Sequence, residues 1–212
     1  MTLNLDRPLL LDLFCKAGGA ARGYHDAGFD VVGVDIEPQP HFPYRFIRAD
    51  ALEYLAAHGG EYDAIHASPP CQFFSVLTGP QHKANHPNYI PAVRNALRLA
   101  GRPCVIENVA GARRHLTEPV MLCGSMFGLG VRRHRFFECS HPPLLLPPCD
   151  HSGTPVLVSG VTRRKGEHRR ENSAQECREA MGIDWMTRAE LDEAIPPAYT
   201  LFLGRHLKEY IQ

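Results

Sequence analysis

The chain has 212 residues, enough for one ordinary domain with a small appendage, and its 44% hydrophobic and 22% charged residues are typical of a globular protein. Lys plus Arg and Asp plus Glu each number 23, so the net charge is zero, which excludes a protein whose whole surface attracts polyanions. The 7 cysteines favour a reducing compartment, and we expect a cytoplasmic protein. No apolar run suits a membrane span, and the N-terminus lacks the features of a signal peptide.

The first half of the chain alternates strand and helix patterns. Short apolar runs predict strands at Pro8–Phe14, Phe29–Asp35, Tyr62–Ala67 and Pro103–Glu107. Helical periodicity and capping signals predict helices at Ala20–Ala27, Ala51–His58 and Ile90–Ala100. This alternation predicts an α/β fold with a doubly wound, mostly parallel sheet that carries helices on both faces.

The second half has a different composition. Residues 139–172 are rich in Pro, Gly, His and Arg and contain one apolar strand candidate, Val156–Val158. Because this stretch is too short for its own core, we expect residues 1–138 and 173–212 to form the main domain and residues 139–172 a small insert. Further helices are predicted at Gln175–Met181 and Arg188–Ala194 and within Ile195–Gln212.

A glycine turn follows the first predicted strand, within the sequence DLFCKAGG that begins at Asp12. Glycines between a strand and a helix let the backbone approach a ligand closely, as in nucleotide-binding turns. Asp35 ends the second strand, where an acid can accept both ribose hydroxyls. Asp50 follows another extended segment, where it suits an adenine amino group or a helix cap. The turn alone also fits an ordinary strand–helix connection, but the full series fits an adenosine cofactor.

Cys71 lies in the loop SPPCQFFS, directly after the third predicted strand. In a parallel sheet the carboxyl ends of the strands face the ligand crevice. A single cysteine is usually a buried apolar residue, but one in a polar loop stiffened by Pro69 and Pro70 is a poor core candidate. An accessible thiolate at this position suits a nucleophile.

Two further motifs point to the same crevice. Glu107 and Asn108 end the fourth predicted strand, where partial desolvation raises the pKa of a carboxyl group and favours a protonated form that can donate to a base. The segment from Val131 to Phe137 is predicted as a strand, so Arg133 and Arg135 are expected to point the same way. Two guanidinium groups on one face could bind a carbonyl oxygen and a phosphate group.

In this order, the motifs resemble those of the cytosine-5 DNA methyltransferases. The shared features are the DLFxxxGG turn, Asp35, the Asp50 turn, PPCQ, ENV, RxR and the closing IPPAYT segment. The resemblance covers about three-quarters of the chain, and the three central motifs in one order are specific. The short length and the sequences around the turn are similar to those of bacteriophage and prophage enzymes.

The resemblance implies a Rossmann-like fold and a covalent mechanism on a cytosine flipped out of double-stranded DNA. Cys71 would attack carbon 6 of the base while Glu107 holds ring nitrogen 3 and the exocyclic amine. Asn108 would support the Cys71 loop, and Arg133 and Arg135 would hold the base's carbonyl oxygen and that loop. The implied cofactor is S-adenosyl-L-methionine. Its site would be formed by Asp12, Phe14, Gly18, Gly19, Asp35, Ile36, Asp50 and Pro70.

Three positions depart from the family's usual pattern. Lys16 stands in place of a glycine, whose backbone angles it cannot adopt cheaply, and its ammonium could meet the cofactor carboxylate. Val131 replaces a glutamine that contacts the cysteine loop. Glu193 replaces an asparagine that contacts the cofactor carboxylate. The catalytic set is complete despite these departures.

The insert carries a basic run. From Arg132 to Arg170 the sequence has 8 Lys or Arg and 3 Asp or Glu, a local balance of +5. Such a run fits a solvated loop, but beside the crevice it also fits a DNA contact, since arginine reads guanine with two hydrogen bonds. We expect DNA to be contacted by Gln72, Ser75, Arg163, Arg164, Lys165, Arg169 and Arg170.

Two Cys-x-His pairs also lie in this region, Cys139 with His141 and Cys149 with His151. Four such ligands could hold a structural zinc ion in a lobe too small to fold alone. This spacing is not a common zinc motif, however, and the sequence favours a chain without metal in which the four are free polar residues.

Three other interpretations stay open. An RNA cytosine-5 methyltransferase of the transfer-RNA type shares the chemistry, and the short insert agrees with it. A DNA-binding module with a decayed active site would not need Cys71 and Glu107. A nicotinamide dehydrogenase would leave the PPCQ and ENV motifs unexplained. The favoured interpretation is a monomeric DNA methyltransferase, with or without a companion restriction enzyme.

Overall fold

The computed structural model describes residues 7–74, 86–158 and 172–211, and seven strands in these residues form one sheet. The strands are β1 Leu9–Leu13, β2 Asp30–Asp35, β3 Arg45–Arg48, β4 Ala64–Ala67, β5 Cys104–Val109, β6 Val120–Leu122 and β7 Arg135–Cys139. Their order across the sheet is β3-β2-β1-β4-β5-β7-β6. The first five are parallel, and β7 runs antiparallel to both β5 and β6. The predicted mostly parallel sheet is confirmed.

Helices flank the sheet on both faces. They are α1 Gly19–Asp26, α2 Ala51–His58, α3 Ile90–Ala100, α4 Ala174–Met181, α5 Arg188–Glu193 and α6 Pro197–Glu209. Short 3-10 helices occupy Gly59–Glu61, Ala110–His115 and Gly124–Phe127. No helix in this part of the chain combines the length and the apolar composition that a membrane crossing requires.

The core has one layer on each face of the sheet. Leu10 packs in the layer with Tyr24 of α1 and Tyr199 of α6. Its neighbour Leu11 packs in the opposite layer, with residues of α2 and α3 such as Leu55. Successive side chains of a strand point to opposite faces, so a central parallel strand such as β1 is apolar on both sides. This is why the apolar runs in the sequence predicted the strands correctly.

A third, smaller core joins the described part of the insert to α4 and α5. Val131 and Val158 are buried there against Cys177, Met181 and Leu191. Val131 therefore serves as a core residue at the position where the family that the sequence resembles commonly has a glutamine. The 139–172 boundary of the insert stays a prediction, because residues 159–171 lie outside the described ranges.

The predicted strand at Val156–Val158 is wrong. These residues form no strand, although the Val156 amide donates a hydrogen bond to the Gly130 carbonyl at 2.8 Å. The side chains of Val156 and Val158 pack in the third core, and the backbone does not pair along a sheet edge. Of the two short strands, β3 with the sequence RFIR lies in the extended segment expected before Asp50, and the three-residue β6 had no predicted counterpart.

Candidate active site

A cavity of roughly 380 Å³, within the usual range for small-molecule sites, opens at the carboxyl ends of β1, β4 and β5. The loops after these strands and the segment 190–195 line it. The predicted site residues in its lining are Asp12, Phe14, Gly19, Pro70, Cys71, Gln72, Glu107 and Arg135. The fold thus brings most of the expected cofactor and catalytic residues into one cavity.

The turn after β1 adopts an unusual backbone conformation. Phe14 has φ 59°, Lys16 has φ 46° and Gly18 has φ 84°. A Cβ atom at Gly18 would lie 2.9 Å from the side chains of Phe42 and Pro43, so that position requires glycine. Lys16 adopts the left-handed conformation without being glycine, and its Nζ lies 3.5 Å from Glu193 Oε2.

Asp12 is a buried carboxyl group that faces the cavity, with 1% of its surface exposed. Neither of its oxygens has a hydrogen-bond partner at bonding geometry among residues 7–74, 86–158 and 172–211. Burial and the charge of Asp35 raise the pKa of Asp12 well above its ordinary value, against a smaller opposing effect of the Ala21 amide. An unsatisfied buried carboxyl group beside a cavity is costly and indicates a site for a donor group or a cation.

Asp35 and Asp50 already have backbone partners. Asp35 is buried and accepts hydrogen bonds from the amides of Lys16 and Glu37, both at 3.1 Å, and so fixes the turn after β1. Asp50 caps α2 by accepting from the amides at positions 52 and 53. Ile36 is 60% exposed. These three residues and Gly18 lie outside the cavity lining, and their part in cofactor binding stays a prediction.

Cys71 is partly buried, and a neighbouring strand holds its loop. The Nδ2 of the buried Asn108 donates to the Pro69 carbonyl at 3.0 Å, which is the contact that the resemblance implied. Burial and the charge of Glu107 raise the pKa of the Cys71 thiol, while the Arg135 guanidinium lowers it. Burial and Glu107 thus favour the neutral thiol of Cys71, and the positive charge of Arg135 favours its ionisation.

Glu107 and Arg135 form an ion pair inside the cavity. Arg135 Nε lies 3.1 Å from Glu107 Oε1, and Glu107 is 6% exposed. Burial raises the pKa of Glu107, and the smaller effects of Arg135, Arg133 and a hydrogen bond from Ser68 oppose that rise. The direction of this shift agrees with the prediction made from the strand-end position.

The predicted arrangement of the two arginines on one strand face is wrong. Strand β7 begins at Arg135, so Arg133 precedes the strand. The Arg133 guanidinium donates to the carbonyls of Ala194 and Asp192 at 2.8 and 2.5 Å. Burial and the nearby Arg135 lower the pKa of Arg133 to about 9. Arg133 thus anchors the segment before α6, and of the two arginines only Arg135 lines the cavity.

Sequence analysis missed a buried histidine behind the site. His66 is fully buried, with Nδ1 3.0 Å from Tyr24 Oη and Nε2 2.8 Å from Ser68 Oγ. Burial lowers the pKa of His66 to about 3, so the ring is neutral. A hydrogen-bonded row therefore runs from Tyr24 through His66 to Ser68, which lines the cavity. The available signal was a histidine within an apolar strand, next to the PPCQ loop.

The Cys-x-His quartet considered from the sequence does not come together. Cys139 lies in β7 with its Sγ 3.9 Å from the Phe137 carbonyl, and the His141 ring stacks on Tyr210 with centroids 4.1 Å apart. Cys149 and His151 contact each other and belong to a different cluster of four. Spacing along the chain grouped the wrong residues because the tertiary fold decides which side chains meet.

Most of the predicted DNA contacts lie outside the described residues. They are Ser75, Arg163, Arg164, Lys165, Arg169 and Arg170. Gln72 is exposed and lines the cavity, next to Cys71. The role of this set in DNA binding stays a prediction.

Comparison with known proteins gives partial relatives, and no family model matches the chain. The type II methyltransferase M.XorII of Xanthomonas oryzae pv. oryzae is 31% identical over 125 residues, and M.AgeI of Thalassovita gelatinovora is 27% identical over 118 residues. These matches cover 50% and 48% of this chain but 29% and 28% of the relatives. The chain therefore spans less than a third of the length of the curated relatives it matches.

Two solved structures match nearly the whole chain. The methyltransferase EhMeth of Entamoeba histolytica has a TM-score of 0.64 at 12% identity, over 97% of this chain and 99% of that one. The S. pombe Dnmt2 methyltransferase has a TM-score of 0.61 at 14% identity, over 96% and 99%. The chain thus has the Rossmann-like fold of these methyltransferases.

Proposed function

We propose that this chain is an S-adenosyl-L-methionine-dependent methyltransferase that modifies carbon 5 of cytosine in double-stranded DNA. The observation that carries the proposal is a single cavity lined by Asp12, Cys71, Glu107 and Arg135. The sequence relatives named type II methyltransferases support the transferase class, and the PPCQ, ENV and RxR motifs support the choice of cytosine.

Two features of the cavity support this choice of cofactor. The unsatisfied carboxyl group of Asp12 suits a cationic or donor group, and S-adenosyl-L-methionine carries both a sulfonium and an ammonium. Lys16 and Glu193 present opposite charges to the cavity, which suit the carboxylate and the ammonium of the methionine end. When bound, this cofactor supplies the electrophilic methyl group that carbon 5 receives.

Cys71 supplies the covalent activation that an aromatic ring carbon needs. The Cys71 thiol loses its proton to solvent, which the charge of Arg135 favours, and the thiolate forms a bond to carbon 6. The electron pair of the 5,6 double bond moves to carbon 5 and into the ring. After carbon 5 is methylated, loss of its proton to solvent restores the double bond and expels the Cys71 thiolate.

Glu107 neutralises the charge that develops on the base. Burial raises its pKa and so favours the protonated form that donates to ring nitrogen 3, and Arg135, whose Nε lies 3.1 Å from Oε1, fixes the position of the carboxyl group in the cavity. Ser68 lines the same cavity, and His66 holds its hydroxyl group from the buried side. Arg133 positions the 192–194 segment, which lines the cavity together with Cys71.

Bisulfite sequencing of DNA from cells that express the protein tests this function. We expect protected cytosines in one sequence context, absent with Cys71→Ser and retained with Cys104→Ser, which changes a cysteine on β5 outside the cavity. Parallel sequencing of cellular RNA tests the transfer-RNA alternative. Protection in RNA alone would replace DNA with RNA as substrate, and protection in neither would contradict the proposal.

A further inference from the structure

Four side chains that can bind a metal ion lie close together where the insert meets the segment from Arg132 to Arg135. They are Cys123, His134, Cys149 and His151, and their ligand atoms all lie within 4.8 Å of one another. Cys149 Sγ lies 3.0 Å from His151 Nε2 and 3.7 Å from His134 Nε2. Cys123 Sγ lies 3.3 Å from the same His151 nitrogen.

These separations fit the coordination shell of one metal ion. Zinc bonds of about 2.3 Å to sulfur and 2.0–2.1 Å to nitrogen place tetrahedral S and N ligand atoms roughly 3.6 Å apart. The observed S–N distances of 3.0 to 3.7 Å lie around this value. Two thiols and two imidazoles are also a donor set that zinc prefers. We propose that these four residues bind a structural Zn²⁺ ion.

All four tetrahedral positions come from the protein, which is typical of a structural site and leaves no open position for substrate. Cys123 follows β6, His134 precedes β7, and the other two ligands belong to the insert. The ion would therefore tie three separate segments together. Described residues 140–158 contain no helix or strand, and Leu144 and Leu145 are 95% and 83% exposed, so apolar packing alone holds this lobe weakly.

Hydrogen bonds around the cluster support the ligands. Arg132 donates to the backbone carbonyls of His151 and Gly153, at 2.6 and 2.5 Å. Ser125 Oγ lies 3.2 Å from Cys123 Sγ and accepts from the Asp150 amide at 3.2 Å. Such outer contacts orient the ligands of metal sites. Because His134 lies between Arg133 and Arg135, the same ion would fix these two arginines beside the cavity.

Metal content of the purified full-length protein tests the site independently of methylation. We expect about one zinc ion per chain by mass spectrometry, and visible bands of tetrahedral Co²⁺ with a thiolate charge-transfer band after exchange. Cys149→Ser and His151→Ala should each lower Zn²⁺ affinity at least about tenfold. The matched controls Cys139→Ser and His141→Ala should keep full metal content, because both lie outside the cluster.

A chelator should lower the thermal midpoint of the wild type and leave that of Cys149→Ser unchanged. A wild-type protein that holds no zinc and binds neither added Zn²⁺ nor Co²⁺ would contradict the proposal. So would a Cys123–Cys149 disulfide in place of bound metal, or equal metal loss in the control variants. If the ligand variants do not fold, the Co²⁺ spectrum of the wild type tests the proposal alone. A thiolate charge-transfer band supports it, and its absence contradicts it, since a site without thiolates lacks that band.

Discussion

Lys16 Nζ lies 3.5 Å from Glu193 Oε2 and joins the turn after β1 to the segment before α6, beside the cavity. The family that the sequence resembles usually has glycine at the first position and often asparagine at the second. Lys16 adopts φ 46°, which is unfavourable for a residue with a Cβ atom. The side chains are 51% and 57% exposed, so the pair itself stabilises the fold by at most about 1 kcal/mol. Its role is therefore expected in ligand binding.

The pair predicts how the cofactor's methionine end is bound. Lys16→Met and Glu193→Gln should each weaken S-adenosyl-L-methionine binding about tenfold, because each leaves one charged ligand group without its partner. Isothermal titration measures this, with Lys208→Met on α6 as the control, since Lys208 is outside the cavity lining. Unchanged affinity in both single variants would mean that the pair only bridges the two segments.

Glu107→Gln should slow single-turnover methyl transfer by about a hundredfold or more while DNA affinity changes little, because its proton acts in the transition state. The protonated form of Glu107 is the active one, so the wild-type rate should fall as pH rises through its raised pKa. Ionisation of Cys71 acts in the opposite direction and raises the rate with pH. The variant should keep that rise and lose the fall that Glu107 causes.

A weaker DNA affinity with an unaltered transfer rate would assign Glu107 to binding alone. Glu61→Gln is a suitable control, because Glu61 lies in a 3-10 helix outside the cavity lining.

His66 predicts a pH dependence of stability. Burial lowers its pKa to about 3 in the folded protein, below its ordinary value of 6.5, and its ring contacts the Tyr24 hydroxyl and Ser68. As the pH falls, the unfolded chain takes up a proton at His66 before the folded protein does. The stability that comes from the neutral, buried ring is therefore complete above pH 6.5 and is lost as the pH falls below that value. Between pH 7 and pH 5 the loss should be about 2 kcal/mol.

Urea unfolding at several pH values measures this effect. Glutamine at position 66 does not titrate in that window, so the stability of His66→Gln should fall less between pH 7 and pH 5 than that of the wild type. Parallel pH profiles for the two proteins would show that His66 is not held neutral.

The basic run of the insert predicts salt-dependent DNA binding. Replacing both Arg169 and Arg170 with Ala should weaken duplex affinity and flatten the logarithmic salt slope by about 0.9 for each phosphate that is no longer neutralised. If one of the two reads a guanine, its removal should also relax the sequence context at a cost of about 1–3 kcal/mol. Affinity across a salt series, with methylation context read by sequencing, measures both effects. An unchanged slope and context would move recognition to residues 142–148 or to the loop after Cys71.

Local patterns in the sequence predicted the parts of the molecule that depend on local physics. The apolar runs of β1 and β5 identified the sheet, and strand ends placed Cys71 and Glu107 in one crevice. Contacts between distant segments could not be predicted in this way. The start of β7 at Arg135 directs Arg133 to the 192–194 carbonyls, which depends on tertiary packing.

The cysteine and histidine cluster shows the same limit. Spacing suggested Cys139 and His141 as companions of Cys149 and His151, whereas the fold supplies Cys123 and His134 from other segments. His66 gave little local signal, because a buried histidine and an ordinary strand residue look alike in a single sequence. Its importance depends on its hydrogen-bond partners, Tyr24 and Ser68, which lie 42 and 2 residues away along the chain.

Covalent trapping on a duplex that contains 5-fluorocytosine tests the central claim, the role of Cys71 as nucleophile, most directly. Fluorine at carbon 5 cannot leave as the proton does, so with S-adenosyl-L-methionine present the adduct at carbon 6 should persist. We predict a stable protein–DNA complex, with the cross-link mapped to Cys71 by peptide mass spectrometry, that is absent in Cys71→Ser and present in Cys104→Ser. Methylation of an ordinary cytosine duplex without any trapped complex, or trapping that survives Cys71→Ser, would contradict the account.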